Sequence, residues 1–239
     1  MTTMAATGVR SAYLTGLRDG APFILMAAPF ATLFGVIATD AGLTLAQALG
    51  FSVLVIAGAS QFAAVQLMID NAGIALVLLG ALAVNLRMAM YSAALVPHLG
   101  NAPLWQRATI AYLNFDQTYI MSAAKYEAEP SMPVSDKVAY FFGVATPITP
   151  VWVGMTLVGI LAGQAIPDAW ALDFIMPIMF LAMVAPMIKS LAHMAAAAVS
   201  VSVALALTGL PSGTGLLIAA GAAMVTGALV EVWQEGRKR

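Results

Sequence analysis

The sequence predicts an all-α, polytopic integral membrane protein of about eight transmembrane helices, some of them broken by proline or glycine. Three observations carry this. The hydrophobic fraction is 62% and the mean hydropathy is +0.92. Charged residues make up only 9% of the chain, against about 25% in ordinary soluble domains. The apolar residues fall into runs long enough to cross a bilayer, separated by short polar loops. A chain of 239 residues is filled by these runs, which leaves no stretch for a soluble domain. Three segments follow: a cytoplasmic N-terminal tail over residues 1–19, a transmembrane domain over 20–233 and a basic cytoplasmic tail over 234–239.

Composition also excludes chemistry. With no cysteine, the chain has no disulfide, no thiolate nucleophile and no cysteine-ligated metal. His98 and His193 are the only imidazoles, and neither has a second histidine at metal-site spacing. No metal and no cofactor are expected. The net charge of -1 and the absence of a long basic tract argue against nucleic acid. No phosphate-binding glycine–lysine loop is present, so ATP hydrolysis on this chain is not expected.

In chain order, Val9, Tyr13 and Leu17 with Arg10 and Arg18 suit a short surface helix ahead of the membrane. The first span is Ala21 to Ala38, interrupted by Pro22 and Pro29; no small-x-small site closes it, so it is not read as a cleaved signal peptide. The second runs from Leu45 to Ile69 and contains Gly58-Ala59-Ser60-Gln61-Phe62. Two readings stay open there: small residues that let helices pack closely, or an unwound segment lining a substrate site. The third span is Ala72 to Val96. The fourth, Ala108 to Ala124, is weak by hydropathy and holds Asn114, Asp116 and Gln117. The fifth, Val138 to Ala162, carries Pro147 and Pro150, read as a second discontinuity. The sixth is Ala171 to Ile188, opening near Asp173; the seventh is Leu191 to Leu207 and the eighth Leu216 to Trp233. Asp173 is ambiguous between a helix-capping role and a functional one. Eight spans with the N-terminus inside put Arg10, Arg18, Lys125, Lys137, Lys189, Arg237, Lys238 and Arg239 on the cytoplasmic side and only Arg107 outside.

Arg87 is the organising residue. It lies well inside the third span, where an arginine costs roughly 3 kcal/mol on insertion scales. It needs a partner or a water-filled path. Asp116 lies at a matching depth of roughly 13 Å in the next span, at ~1.5 Å per residue. The two spans are joined by a short loop, so an Arg87–Asp116 pair is geometrically natural. Tyr91, four residues after Arg87, shares its face, and Tyr112 and Tyr119 share a face with Asp116. Asn85 points elsewhere and needs another helix or local unwinding. The pair is read either as a structural ion pair or as the border of a substrate path.

These residues carry a resemblance. Phe34-Gly35 in a proline-bearing first span, Gly58-Ala59-Ser60-Gln61-Phe62, Asn85-Leu86-Arg87 with Tyr91, Asp116, and Leu172-Asp173-Phe174 leading to Pro177 and Phe180 follow one another in order. Together they resemble the azaleucine-resistance, AzlC-type family of branched-chain amino acid exporters, over most of the chain. Met88 stands where relatives often have histidine, and Asp116-Gln117 where they often have an Asp-Glu pair. The resemblance implies proton-motive-force-driven export of valine, leucine, isoleucine and methionine across a bacterial inner membrane. It implies a small AzlD-type membrane partner and no ATPase; an intramembrane enzyme is the least favoured class, since no close polar dyad such as Ser-Lys or paired aspartates is evident. The substrate-binding or translocation residues expected on this reading are Gly58, Ser60, Gln61, Asn85, Arg87, Tyr91, Asp116, Pro150 and Asp173. Arg87 or a helix N-terminus would meet the carboxylate; Gln61, Asn85 or Asp116 would meet the ammonium; Phe30, Phe62 and Phe180 would supply apolar wall. A channel for a small neutral solute and a structural membrane partner are the alternatives.

Overall fold

A computed structural model describes residues 8–163, Ile188, 190–209 and 214–238. Every regular element among them is helical. The chain forms two compact units, one of residues 1–62 and 81–165, the other of residues 63–80 and 166–239.

The first unit is built on one long helix. α1 (Val9–Gly20) leads through a single 3₁₀ turn at Ala21–Phe23 into α2 (Ile24–Asp40). Pro22 falls in that turn, where its missing N–H costs nothing. α3 is Leu45–Leu54 and α4 is Ala59–Ile69; α5 is Ile74–Leu99. α6 (Leu104–Tyr112) and α7 (Asp116–Ala128) precede α8 (Val134–Gly163), against which α1 and α2 both lie along much of their length. Small residues set that approach. A Cβ added at Gly16 would strike the Tyr140 carbonyl oxygen, and one at Gly159 the Thr32 carbonyl oxygen. Side chains cannot fit where backbones meet this closely, which is how glycine serves helix packing in a membrane. Phe34, Phe141, Val144 and Ile160 are buried along these contacts.

The N-terminal stretch therefore differs from a tail ending in a surface helix: Ala12, Gly16 and Gly20 are buried on the α8 side of α1. The second discontinuity expected at Pro147 and Pro150 is absent, because α8 runs unbroken through both prolines. Its flanks rest on α1 before the prolines, through Gly143 and Val144, and on α2 after them, through Thr156 and Gly159. Packing before and after the prolines keeps the helix continuous where a proline would otherwise tend to break it.

Two other expected spans are broken instead. The second is divided at residues 55–58, where Gly58 has φ +34°. The fourth is divided at residues 113–115. Among the described residues, Val9–Asp40, Ile74–Leu99 and Val134–Gly163 are the stretches long and apolar enough to cross a membrane; Leu45–Leu54, Ala59–Ile69, Leu191–Ala206 and Ile218–Gln234 are shorter apolar helices. The expected sixth span, with Asp173, Pro177 and Phe180, lies outside the described residues.

The second unit holds the end of α4 and the start of α5, where Gly80 leaves room for Leu67. It also holds α9 (Leu191–Ala206) and α10 (Thr214–Lys238), which pack on one another with Gly227 facing Ala196. The Ser190 hydroxyl caps α9 by accepting from the His193 N–H at 3.2 Å.

Gly159→Leu is expected to destabilise the first unit by about 1–3 kcal/mol, the range for forcing atoms into a filled contact. A lowered thermal midpoint of the purified protein in detergent checks this; an unchanged midpoint would show that α2 and α8 do not depend on their close approach.

Candidate functional site

Two polar groups lie in the first unit, each beside one of the helix breaks. Both breaks need their freed backbone groups satisfied, since lipid supplies no hydrogen bonds. At residues 113–115 the Thr118 hydroxyl shares its one hydrogen between the Leu113 and Phe115 carbonyls, at 2.7 and 2.8 Å. Asn114 Nδ2 donates to Ser92 Oγ on α5 at 3.2 Å. At residues 55–58 the Ala57 N–H turns back to the Val55 carbonyl, and Phe62 N–H bonds the Gly58 carbonyl. One bond joins the two breaks: the Tyr112 hydroxyl, at the end of α6, donates to the Val53 carbonyl near the end of α3. Tyr112 therefore leaves the face of Asp116 that an unbroken helix would have given it.

The first group is centred on Asp116. The break makes Asp116 the first residue of α7, where the helix dipole favours a carboxylate. Its Oδ2 meets Arg87 Nη1 at 3.1 Å, and its Oδ1 accepts from the Tyr91 hydroxyl at 3.0 Å. Tyr91 is stacked on Tyr119, ring centroids 4.1 Å apart and planes 7° from parallel. The pair is half-buried, the side chains of Arg87 and Asp116 being 25% and 35% exposed. Each carboxylate oxygen keeps a second lone pair, so Asp116 has room for a further hydrogen beside Arg87 and Tyr91. Arg87 Nε is buried and has no partner among the described residues, so one edge of the guanidinium stays available. A carboxylate suits that edge.

Asn85 Oδ1 is also buried and unpartnered. The local unwinding that would have accommodated Asn85 does not occur, because α5 is continuous from Ile74 to Leu99.

The second group lies where α3 and α4 meet α8. Gln61 Nε2 donates to Ser52 Oγ at 3.2 Å, Ser52 Oγ and Thr156 Oγ1 are 2.8 Å apart, and Thr156 Oγ1 donates to the Trp152 carbonyl at 2.9 Å. Ser52, Gln61 and Thr156 are fully buried, and Ser60 almost so. Trp152 comes to the break itself: its ring lies 3.2 Å from where a Cβ on Gly58 would stand. Phe62 is buried beside the break, edge-on to Phe34 at 5.6 Å and to Phe30 at 6.3 Å. The stretch is unwound at residues 55–58, while Ala59, Ser60 and Gln61 open α4 and Gln61 bonds across to α3.

Of the residues expected from sequence, Arg87, Tyr91 and Asp116 come together, and Gly58, Ser60 and Gln61 gather at the other break. Pro150 is exposed on α8 and joins neither group. Asp173 lies outside the described residues. Ser52, Trp152 and Thr156 were not foreseen. Serine and threonine in an apolar helix have a bland local role, bonding the carbonyl one turn back, and Ser52 and Thr156 meet across 104 positions.

The architecture is that of an all-helical membrane protein with paired helix breaks and buried polar groups, the form that transport proteins use to put binding atoms inside a bilayer. Residues 22–166 match the family described as AzlC protein, and the chain belongs to that family. Membership supports a role in membrane transport. No curated protein and no solved structure matches the chain.

Tyr112→Phe is expected to cost about 1 kcal/mol, the worth of one hydrogen bond, and to loosen the end of α3. Hydrogen exchange over residues 51–58 should rise relative to α8. Unchanged exchange would mean that the Tyr112 hydroxyl does not hold the two breaks together.

Proposed function

We propose that this chain is the large subunit of a secondary transporter that exports branched-chain amino acids. Valine, leucine and isoleucine are the substrates, with methionine, moved outward across a bacterial inner membrane under the proton motive force. A small AzlD-type membrane subunit completes the transporter, and both termini of this chain are cytoplasmic. The observation that carries the reading is the half-buried Arg87–Asp116–Tyr91 group in an otherwise apolar span. Intramembrane ionisable residues are functional candidates by default. Arg87 keeps one buried edge for a substrate carboxylate. A proton taken by Asp116 would cancel the charge that holds Arg87, which gives a means of coupling.

The test is efflux of preloaded labelled valine from cells expressing this chain, with and without a small AzlD-type partner. Arg87→Leu should insert normally and lose export by about tenfold or more, since a hydrogen bond to a charged group is worth about 1.5–3 kcal/mol. Asp116→Asn should keep valine binding but uncouple efflux from the proton gradient. Normal export by Arg87→Leu would overturn the reading. Flux without saturation in the wild type would favour a channel.

A further inference from the structure

We propose that the break between α3 and α4 is the subsite for the substrate's ammonium group, with Gln61 Oε1 as its acceptor and the Ser52–Thr156 pair as the device that aims it. This rests on the reading above for the identity of the substrate, but its geometry does not depend on that reading.

Each hydroxyl has one hydrogen to give. Thr156 gives its hydrogen to the Trp152 carbonyl, which can only accept. Ser52, 2.8 Å from Thr156, must then donate to Thr156. The remaining lone pair on Ser52 accepts, so Gln61 must present its NH₂ to Ser52. The chain of bonds runs in one direction, Gln61 to Ser52 to Thr156 to the Trp152 carbonyl. It fixes the amide so that Oε1 faces away from the chain.

That Oε1 is buried and has no partner among the described residues. Leaving such an acceptor unmet is unfavourable, and an orienting chain on one side does nothing to relieve it. A fixed, buried carbonyl oxygen with no donor opposite it among the described residues suits a ligand that brings several hydrogens and a positive charge. A primary ammonium meets this description. Around the same break, Trp152 Nε1, which can only donate, is also buried and unpartnered, as is Ser60 Oγ. Phe62, Phe34 and Phe30 supply apolar surface beside them. An ammonium group and an apolar side chain each find a match here. Among Gln61, Asn85 and Asp116, the sequence left the ammonium partner open; the charge of Asp116 is already paired with Arg87, and Asn85 has no orienting network among the described bonds.

The test uses the purified full chain in detergent, with ligand binding read by calorimetry. Three probes differ by one group: leucine, 4-methylpentanoate, which lacks the ammonium, and 3-methylbutylamine, which lacks the carboxylate. The wild type should bind leucine and the amine, and bind 4-methylpentanoate at least tenfold more weakly. Gln61→Leu should lose that preference. Thr156→Val keeps the shape but frees the Ser52 hydrogen, so the amide loses its fixed direction and the preference for ammonium should fall. Thr156→Ser restores the hydroxyl and should restore it, which a purely packing role for Thr156 would not require. Binding of the amine but not leucine would uphold the subsite and reject amino-acid export. Equal affinity for leucine and 4-methylpentanoate, no binding of any probe, or an unchanged preference in both Gln61→Leu and Thr156→Val would overturn the subsite. If neither of those variants can be purified folded, the Thr156→Ser and wild-type comparison decides: loss of the ammonium preference in Thr156→Ser overturns it.

Discussion

In a hydrocarbon surrounding, a polar atom must find its partner inside the protein, and this constraint explains most of what the chain does. Breaking a helix there is unfavourable unless the freed groups are met. The chain breaks two helices and meets freed carbonyls with side chains: Thr118 at one break, Tyr112 at the other. Because Tyr112 belongs to the first break and reaches the second, neither is independent. A protein that only needed to fill a bilayer would gain nothing from this arrangement.

The rigid part of the first unit stands in contrast. α8 is pressed against α1 and α2 through glycines so closely that backbone touches backbone. Two prolines pass through it without interrupting it. The polar groups hang on that frame. Trp152 and Thr156 project from α8 toward the α3–α4 break, while Arg87 and Tyr91 on α5 reach the start of α7. Discontinuous helices are how transport proteins bring polar groups to the middle of a bilayer.

Much of this was legible in the sequence. The cost of burying Arg87 demanded a counter-charge, and matching depth in adjacent spans picked out Asp116. The same argument failed for Tyr112, because it assumed an unbroken fourth span. Asn114 and Asp116 favour helix starts over helix interiors, and that preference was the available signal for the break. Prolines misled in the other direction: Pro147 and Pro150 read as a discontinuity, but contacts with two neighbouring helices, invisible in a local pattern, keep α8 whole. The Gly58 break was legible only as one of two readings, since glycine serves both unwinding and close packing. The Ser52–Thr156 contact joins distant positions of common residue types, so no pattern announced it.

The most direct test of the central claim is a charge swap, Arg87→Asp combined with Asp116→Arg. A pair that only knits two helices together works in either orientation. A pair that meets a substrate carboxylate with the arginine and a proton with the aspartate does not. The swapped protein should accumulate in the membrane at close to wild-type levels and fail to release labelled valine. Full valine efflux from the swapped protein would contradict a role in transport and leave the pair with a structural role alone.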